Sequence, residues 1–200
     1  MTTSNPLPAA AVVITHEVAD WGRWKPRFDA DAGARKAAGI LGHHVNRGQD
    51  NANALSVYLP VSDVNKAKAF ATSPTLQRFM TEAGVVGAPV ATWLTPVEEN
   101  LVWDRELPAV MVSHTVEDFD KWYAGYQAAA AIRRAGGIIG HAVNRSLENP
   151  NLVVVYHQAE SFGALKAFTQ GPDLKAAMQK AGVTSAPTFN YVTGGWAGRY

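Results

Sequence analysis

Apolar and polar residues along the chain follow the periods of strands and helices in turn. Residues 10–16 form a β-branched, apolar run that predicts a strand. The next amphipathic segment predicts a helix that begins near Lys25 and is capped by Gly39. This start places Pro26, which lacks a backbone N–H, in the first helical turn, so residues 20–24 are predicted to form a tight turn.

The segments that follow predict two more strands, a second helix and a final strand. The strands are expected near residues 41–47, 54–60 and 90–95. The second helix is expected to begin near Ser62, to break at Ser73-Pro74 and to end at Gly84. The resulting order is β-α-β-β-α-β.

Two long stretches of the sequence are similar to each other. The first begins at His16 and reads HEVADWGRWKPRFDADAGARKAAGILGHHVNR; the second begins at His114 and reads HTVEDFDKWYAGYQAAAAIRRAGGIIGHAVNR. The offset of 98 residues holds without a gap over residues 12–94 of the first copy. Because internal repeats determine the fold, the chain is interpreted as one unit duplicated and fused. The second copy has Ala124 where the first has Pro26, so its first helix is predicted to begin earlier.

This element order is the ferredoxin-like split motif, and it predicts an α+β fold of two tandem ferredoxin-like repeats. Each repeat covers one face of its sheet with helices and leaves the other face bare, and a bare apolar face needs a partner. We expect the two copies to cover each other and form a dimeric α/β barrel within one chain. The isolated halves, 1–97 and 98–200, are therefore not expected to be stable monomers.

The predicted organisation has five segments. They are an N-terminal arm (1–9), repeat 1 (10–95), a proline-bounded linker (96–108), repeat 2 (109–193) and a glycine-rich C-terminal tail (194–200).

Three short blocks carry a resemblance to a known superfamily. They are W-K-x-x-F-D (residues 24–29), A-G-I-x-G (38–42) and A-G-V-x-x-A-P (83–89). These blocks resemble the dimeric α/β-barrel superfamily, near the antibiotic-biosynthesis-monooxygenase-like and "cyclase"-labelled proteins. The resemblance implies a small-molecule protein, and the superfamily includes cofactor-independent monooxygenases, cyclases and haem enzymes.

Composition narrows the classes of partner. The net charge of +1 favours neither nucleic acid nor an acidic membrane surface. The chain has no cysteine, which removes disulfides and thiolate chemistry and fits a cytoplasmic location. No apolar run approaches the roughly 20 residues that span a bilayer, and the N-terminus does not resemble a signal peptide. A small-molecule ligand is the expected partner, and self-association stays open.

The histidine that ends the first strand of each repeat is the candidate for catalytic proton transfer: His16 and His114. An imidazole held by Asp20 beside Trp24 suits a general acid or base near neutral pH. The alternative is structural, with His16 bonded to Asp20 or to turn backbone so that it fixes the corner between strand and helix.

Other polar and aromatic residues shared by both copies are candidates for ligand binding. They are Trp24, His43, Asn46, Arg47 and Tyr58, with the counterparts Trp122, His141, Asn144, Arg145 and Tyr156. These side chains either line a cavity or form a hydrogen-bonded seam between the copies. The two tryptophans are expected in the core, and Arg35 and Arg133 on solvated or ion-paired helix faces.

No metal site or cofactor is predicted. His16 and His43 are expected more than 10 Å apart on the sheet, too far for two ligands of one ion. Three functions stay open at this point: a cofactor-independent monooxygenase- or cyclase-like enzyme for an aromatic or polyketide-like substrate, a non-catalytic ligand-binding or assembly protein, and a haem-binding enzyme.

Overall fold

The computed structural model describes residues 6–200, and its elements repeat in the two halves of the chain. The first half contains β1 (Ala10–Val18), α1 (Trp21–Ala30), α2 (Ala32–Ala37), β2 (Gly42–Arg47), β3 (Ala54–Val61), α3 (Val64–Ala71), α4 (Pro74–Ala83) and β4 (Val85–Asn100). The second half contains β5 (Ala109–Thr115), α5 (Phe119–Ala128), α6 (Ala130–Ala135), β6 (Ile138–Ser146), β7 (Leu152–Ala159), α7 (Phe162–Gln170), α8 (Pro172–Lys180), β8 (Thr188–Val192) and β9 (Trp196–Arg199).

The chain divides into two compact units whose limits differ from the predicted segments. The first unit combines the described residues up to Thr95 with Gly195–Tyr200, and the second is Pro96–Gly194. Strand order in the first unit is β4-β1-β3-β2-β9 and in the second β8-β5-β7-β6. In each unit the third strand of the repeat lies antiparallel between the first and second, as predicted.

Both ends of the repeats are more structured than the sequence indicates. The predicted linker 96–108 begins with the last five residues of β4, and the predicted tail 194–200 contains β9, which pairs with β2. The tail therefore belongs to the first unit. The predicted arm 1–9 lies partly outside the described residues, and residues 6–9 precede β1 without regular structure.

The first helix of each repeat begins at an equivalent residue, so the predicted start at Lys25 is wrong. The Asp20 carboxylate accepts a hydrogen bond from the backbone N–H of Arg23 at 2.7 Å and caps α1 at Trp21. Asp118 caps α5 in the same way through Lys121 at 2.8 Å. Pro26 therefore lies inside α1, where it lacks the N–H that would bond to the carbonyl of Gly22. The predicted break in the second helix, at Ser73-Pro74, is confirmed.

Strand register decides which side chains meet the helices. Ile14 on β1 is level with Val57 on β3, which is level with Val45 on β2. Alternation along these strands places His16, His43 and Arg47 on this same face. The core cluster on that side includes Val12, Val45 and Val57 with helix residues such as Trp24 and Ala67. Neighbouring strand residues, among them Asn46 and Tyr58, therefore point to the opposite face. Among residues 6–200, no helix is long and apolar enough to span a membrane.

Candidate functional site

A cavity of about 110 Å³ lies between the sheet and the helices of the first unit. Its walls are almost entirely apolar and are rich in aromatic rings; they include Trp24, Phe28, Phe70, Phe79 and Trp93. Three side chains that can carry charge also border it: His16, Asp31 and Arg35. Such a cavity, apolar with a few convergent polar groups, is typical of a small-molecule site.

The imidazole of His16 lies at this cavity with neither nitrogen engaged. Both ring nitrogens are shielded from water and have no hydrogen-bond partner in the described structure. The ring centroid is 5.8 Å from that of Trp24, and burial lowers the pKa of His16 to about 4. The expected hydrogen bond from His16 to Asp20 is absent among the described residues because the Asp20 carboxylate caps α1 instead. The prediction that Asp20 orients His16 for catalysis is therefore wrong, and so is the alternative that a bond between them fixes the corner between strand and helix.

Arg35 is buried, contrary to the expectation of a solvated helix face. Its side chain is 5% exposed, and its guanidinium carbon lies 3.6 Å from the centroid of the Phe28 ring. Nε donates to the hydroxyl of Tyr200, whereas Nη2 is shielded and has no partner. A buried cation that stacks on an aromatic ring and keeps a free N–H group suits an electron-rich ligand oxygen.

Asp31 brings the opposite charge to the same cavity. Its carboxylate lies 3.4 Å from Arg27, and burial raises the pKa of Asp31 while Arg27 and Arg35 oppose that shift. The charged groups at the first cavity therefore include both a cation and an acid.

A second cavity of about 50 Å³ occupies the equivalent place in the second unit. His114 is 5% exposed and, like His16, has two shielded nitrogens without a partner. Burial lowers the pKa of His114 to about 4. Here His157 stands where the first repeat has Leu59, and its Nε2 lies 3.1 Å from the hydroxyl of Tyr126. His157 Nδ1 has no partner among the described residues.

Arg133 repeats the burial of Arg35 with different partners. It is 7% exposed, lies 3.8 Å from the centroid of the Tyr126 ring, and donates through Nη1 to the Tyr126 carbonyl. Nearby, Glu98 accepts a 2.8 Å hydrogen bond from Tyr123 and pairs with Nε2 of His141 at 2.9 Å. Hydrogen bonds from these two partners, with the Arg133 charge, lower the pKa of Glu98 against the opposing effect of burial.

The remaining predicted binding residues are divided among three places. His43 shares the Tyr200 hydroxyl with Arg35. The Nδ1 atom of His43 is 3.0 Å from that hydroxyl, and its ring centroid is 4.3 Å from that of Trp196. Arg47 and Arg145 donate to the carbonyls of Ala52 and Pro150 and stabilise the turns after β2 and β6.

Four other candidates lie on the sheet face away from the cavities: Asn46, Tyr58, Asn144 and Tyr156. Asn144 donates to the carbonyl of Val154 at 3.3 Å. The two tryptophans, Trp24 and Trp122, are buried in the core as expected and also border the cavities.

The sequence analysis missed four residues near the cavities: Tyr200, Trp196, His157 and Glu98. The candidates were residues that are identical in the two copies. These four positions either differ between the copies or lie beyond the aligned segment. The offset of 98 residues in fact continues to the end of the chain, where it pairs Glu98 with Trp196 and Val102 with Tyr200. Extending the alignment through the presumed linker would have drawn attention to Glu98, Trp196 and Tyr200, but not to His157, which lies within the aligned segment opposite Leu59.

Comparison with known proteins agrees with this fold. Residues 111–180 match the family model described as antibiotic biosynthesis monooxygenase. An anthrone oxidase-like protein of known structure is 15% identical with a TM-score of 0.67, over 95% of this chain and 92% of its own. A candidate monooxygenase from Lactobacillus acidophilus NCFM is 12% identical with a TM-score of 0.59, over 92% and 93% of the two chains.

A candidate chlorite dismutase is 10% identical with a TM-score of 0.58, over 92% of this chain and 94% of its own. Identities this low show likeness of fold alone. Among curated proteins, none matches the chain significantly. The predicted resemblance to the dimeric α/β-barrel superfamily and the fold class, α+β with two tandem ferredoxin-like repeats, are confirmed.

Proposed function

We propose that the first cavity binds an aromatic or polyketide-like small molecule and that His16 accepts a proton from it, as in a cofactor-independent monooxygenase- or cyclase-like enzyme. One observation carries the proposal: both nitrogens of His16 are shielded and unpaired at an aromatic cavity. Buried polar atoms normally find partners. A bound ligand would supply the missing partner.

The protonation state of His16 suits a base. With its pKa lowered to about 4 by burial, the imidazole is neutral at pH 7 and has one nitrogen free to accept a proton. A phenolic O–H, or a C–H made acidic by neighbouring carbonyls, is the matching donor. General base catalysis by a positioned side chain contributes about 10²–10⁴-fold to rate.

Arg35 supplies the complementary charge. Deprotonation of the ligand leaves an anionic oxygen, and the unpaired Nη2 of Arg35 borders the same cavity. A cation positioned before the reaction stabilises such an oxyanion without reorganisation of solvent. The apolar rings around it exclude water, which strengthens this interaction.

The comparisons support this class of chemistry. The second repeat matches the antibiotic biosynthesis monooxygenase model over residues 111–180, and an anthrone oxidase-like protein shares the fold over nearly the whole chain. Oxidation of anthrone converts a ring CH₂ and O₂ into a ring carbonyl and water, and loss of a proton from that CH₂ is a step that a base can assist.

Haem does not fit the first cavity. A cavity of about 110 Å³ cannot enclose the macrocycle without displacement of its walls. We derive no step through haem. The absorption spectrum of the purified protein tests this directly, because bound haem would give an intense visible band.

The cytoplasmic location and self-association stay predictions.

Oxygen uptake with anthrone tests the proposed reaction. The protein should consume O₂ and form anthraquinone in equal amounts. His16→Gln should lower that rate by at least about 100-fold with its melting temperature retained, while the matched variant His114→Gln should change it little. Equal losses in both variants would contradict assignment to the first cavity. Anthrone binding without O₂ uptake would instead favour the non-catalytic ligand-binding alternative.

A further inference from the structure

The second cavity is not a smaller copy of the first. Leu59 at the first cavity is replaced by His157 at the second, and Asp31 is replaced by Ala129. The first difference adds a buried imidazole to the second cavity. The second difference removes the carboxylate that Asp31 provides at the first cavity. The chemistry of the two linings has therefore separated while the surrounding elements stayed equivalent.

The charge at the second cavity is positive. Arg133 borders it, and no acidic side chain is among its described lining residues. Glu98, whose pKa the Arg133 charge helps to lower, is already engaged by Tyr123 and His141. A buried guanidinium without an acid at its own cavity leaves a place for an anion.

Three buried nitrogen atoms at this cavity also lack hydrogen-bond partners within residues 6–200. They are Nδ1 and Nε2 of His114 and Nδ1 of His157. His114 is 5% exposed and His157 is 4% exposed. Each neutral imidazole carries one N–H donor, so together with Arg133 the cavity offers convergent donors to oxygen atoms.

The remaining walls are apolar and close together. Leu174, Ala177 and Met178 of α8 face Val112 and Val155 of the sheet across a space of about 50 Å³. With about half the volume of the first cavity, the space suits a ligand of a few heavy atoms better than a fused ring system. Its hydrocarbon part would lie against α8 and its polar part against the imidazoles.

We infer that the second cavity is a separate binding site for a small organic monocarboxylate, held by Arg133 and the imidazoles of His114 and His157. The carboxylate oxygens accept hydrogen bonds from these donors, and a short alkyl chain fills the apolar end. An uncharged amide of the same shape binds more weakly because it lacks the negative charge that Arg133 attracts. This inference is independent of the reaction proposed for the first cavity.

Titration of the full-length protein with butyrate in a calorimeter tests the inference, with butyramide as the uncharged control. Butyrate should bind with one site per chain, and butyramide at least about 10-fold more weakly. Absence of saturable butyrate binding up to about 10 mM, or equal affinity for the two compounds, would overturn it.

Position 129 gives a matched pair of variants. Ala129 is the residue that caps α6 at its N-terminus, where Asp and Asn are both favoured, so neither substitution should disturb folding. Ala129→Asp restores the acid of the first cavity and should weaken butyrate binding at least about 10-fold. Ala129→Asn has the same size without the charge and should keep most of the affinity; an equal effect of the two variants would contradict the charge argument.

His157→Leu and His16→Gln locate the site. His157→Leu, which installs the residue of the first repeat, should weaken butyrate binding, whereas His16→Gln should leave it unchanged. Loss of butyrate binding in His16→Gln with retention in His157→Leu would place the carboxylate in the first cavity and overturn the inference. Failure of anthrone oxidation has no bearing on these outcomes, so the two proposals can fail separately.

Discussion

The two cavities share a frame and differ in their lining. In both, a histidine lies near the end of the first strand, a tryptophan of the first helix packs beside it and a buried arginine lies on an aromatic ring. The lining then diverges: aromatic and wide in the first unit, with an added imidazole and half the volume in the second. The comparison indicates that duplication preserved the residues that build the cavity and freed those that select its contents.

The buried arginines are also held differently. Arg35 donates to Tyr200 from the C-terminal strand of the first unit, whereas Arg133 donates to the backbone of Tyr126 on its own helix. Support for the first cavity therefore comes from the far end of the chain. Four predictions test how much of the difference depends on single side chains.

The largest expected effect concerns the difference in volume. Leu165 is fully buried on α7, and its counterpart Ala67 borders the first cavity. Leu165→Ala should lower the free energy of unfolding by about 2–5 kcal/mol, because it removes buried methyl groups and leaves a void. Chemical denaturation measures this change.

The reverse substitution serves as its control. Ala67→Leu should fill part of the first cavity, prevent binding of a ring system there and cost less stability than Leu165→Ala. Comparable destabilisation by the two variants, with ligand binding retained in Ala67→Leu, would show that this position does not set the difference in volume.

The order of elements could be predicted because hydrophobic period and turn residues are local signals. The same reasoning identified His16 and His114, since a polar residue that ends an apolar strand is conspicuous in sequence. It failed for Arg35, because a charged residue on a short helix normally indicates solvent. Only contact with Phe28 and Tyr200, which lie 7 and 165 residues away in sequence, makes its burial favourable.

The ends of the repeats were missed for a different reason. Residues 194–200 were interpreted as a glycine-rich tail outside the repeats, since three of them are glycines. In the structure two of these glycines permit close approach of backbone to histidine: a Cβ at Gly198 would lie 2.6 Å from His43, and one at Gly195 would lie 1.9 Å from His44. Composition alone does not distinguish a flexible glycine from one that fits under a side chain.

The second prediction uses pH to separate the two linings. The pKa of His157 is lowered to about 3 by burial, with smaller contributions from the charges of Arg133, His141 and His114. In the unfolded chain the pKa is near 6.5. As pH falls from 7 toward 4, the unfolded chain therefore binds a proton that the folded chain does not, and stability falls.

His157→Leu should remove this contribution. At pH 4.5 the wild-type protein should have lost about 2 kcal/mol of unfolding free energy through His157 alone, and the variant should lose correspondingly less between pH 7 and pH 4.5. The measurement is denaturation at a series of pH values. Tyr126, which lies within hydrogen-bond distance of Nε2 of His157, keeps its proton throughout this range, because the pKa of a tyrosine is ordinarily about 10 and burial raises that of Tyr126 further. Parallel curves for the two proteins would mean that His157 is protonated in the folded state.

The third prediction removes the hydroxyl that reaches Arg35 from the end of the chain. Tyr200→Phe should lower stability by about 1–2 kcal/mol, since the hydroxyl contacts both Arg35 and His43. Ligand binding at the first cavity should weaken, because Arg35 loses the contact that orients it. Tyr123→Phe, which removes a hydroxyl from Glu98 in the second unit, is the matched control and should leave the first cavity unaffected. Equal weakening by both variants would argue against a specific role for Tyr200.

The smallest expected effect concerns Trp196 of the first unit, whose equivalent position in the second unit is Glu98. Lys25 lies 4.0 Å from the centroid of the Trp196 ring and 2.8 Å from Asp29, with a partly exposed side chain. Lys25→Ala should therefore cost less than about 1 kcal/mol, the sum of a modest cation–π contact and a surface ion pair. Lys66→Ala, which breaks a 3.9 Å surface pair with Asp63, should cost less again.

Thermal melting of both variants at low and high salt separates the ion pair from the cation–π contact. Salt screens the ion pairs and leaves most of the contact between Lys25 and Trp196. If Lys25→Ala loses its whole effect at high salt, the aromatic ring contributes nothing to Lys25, and Trp196 differs from Glu98 only through its packing on other rings, among them Phe28 and His43.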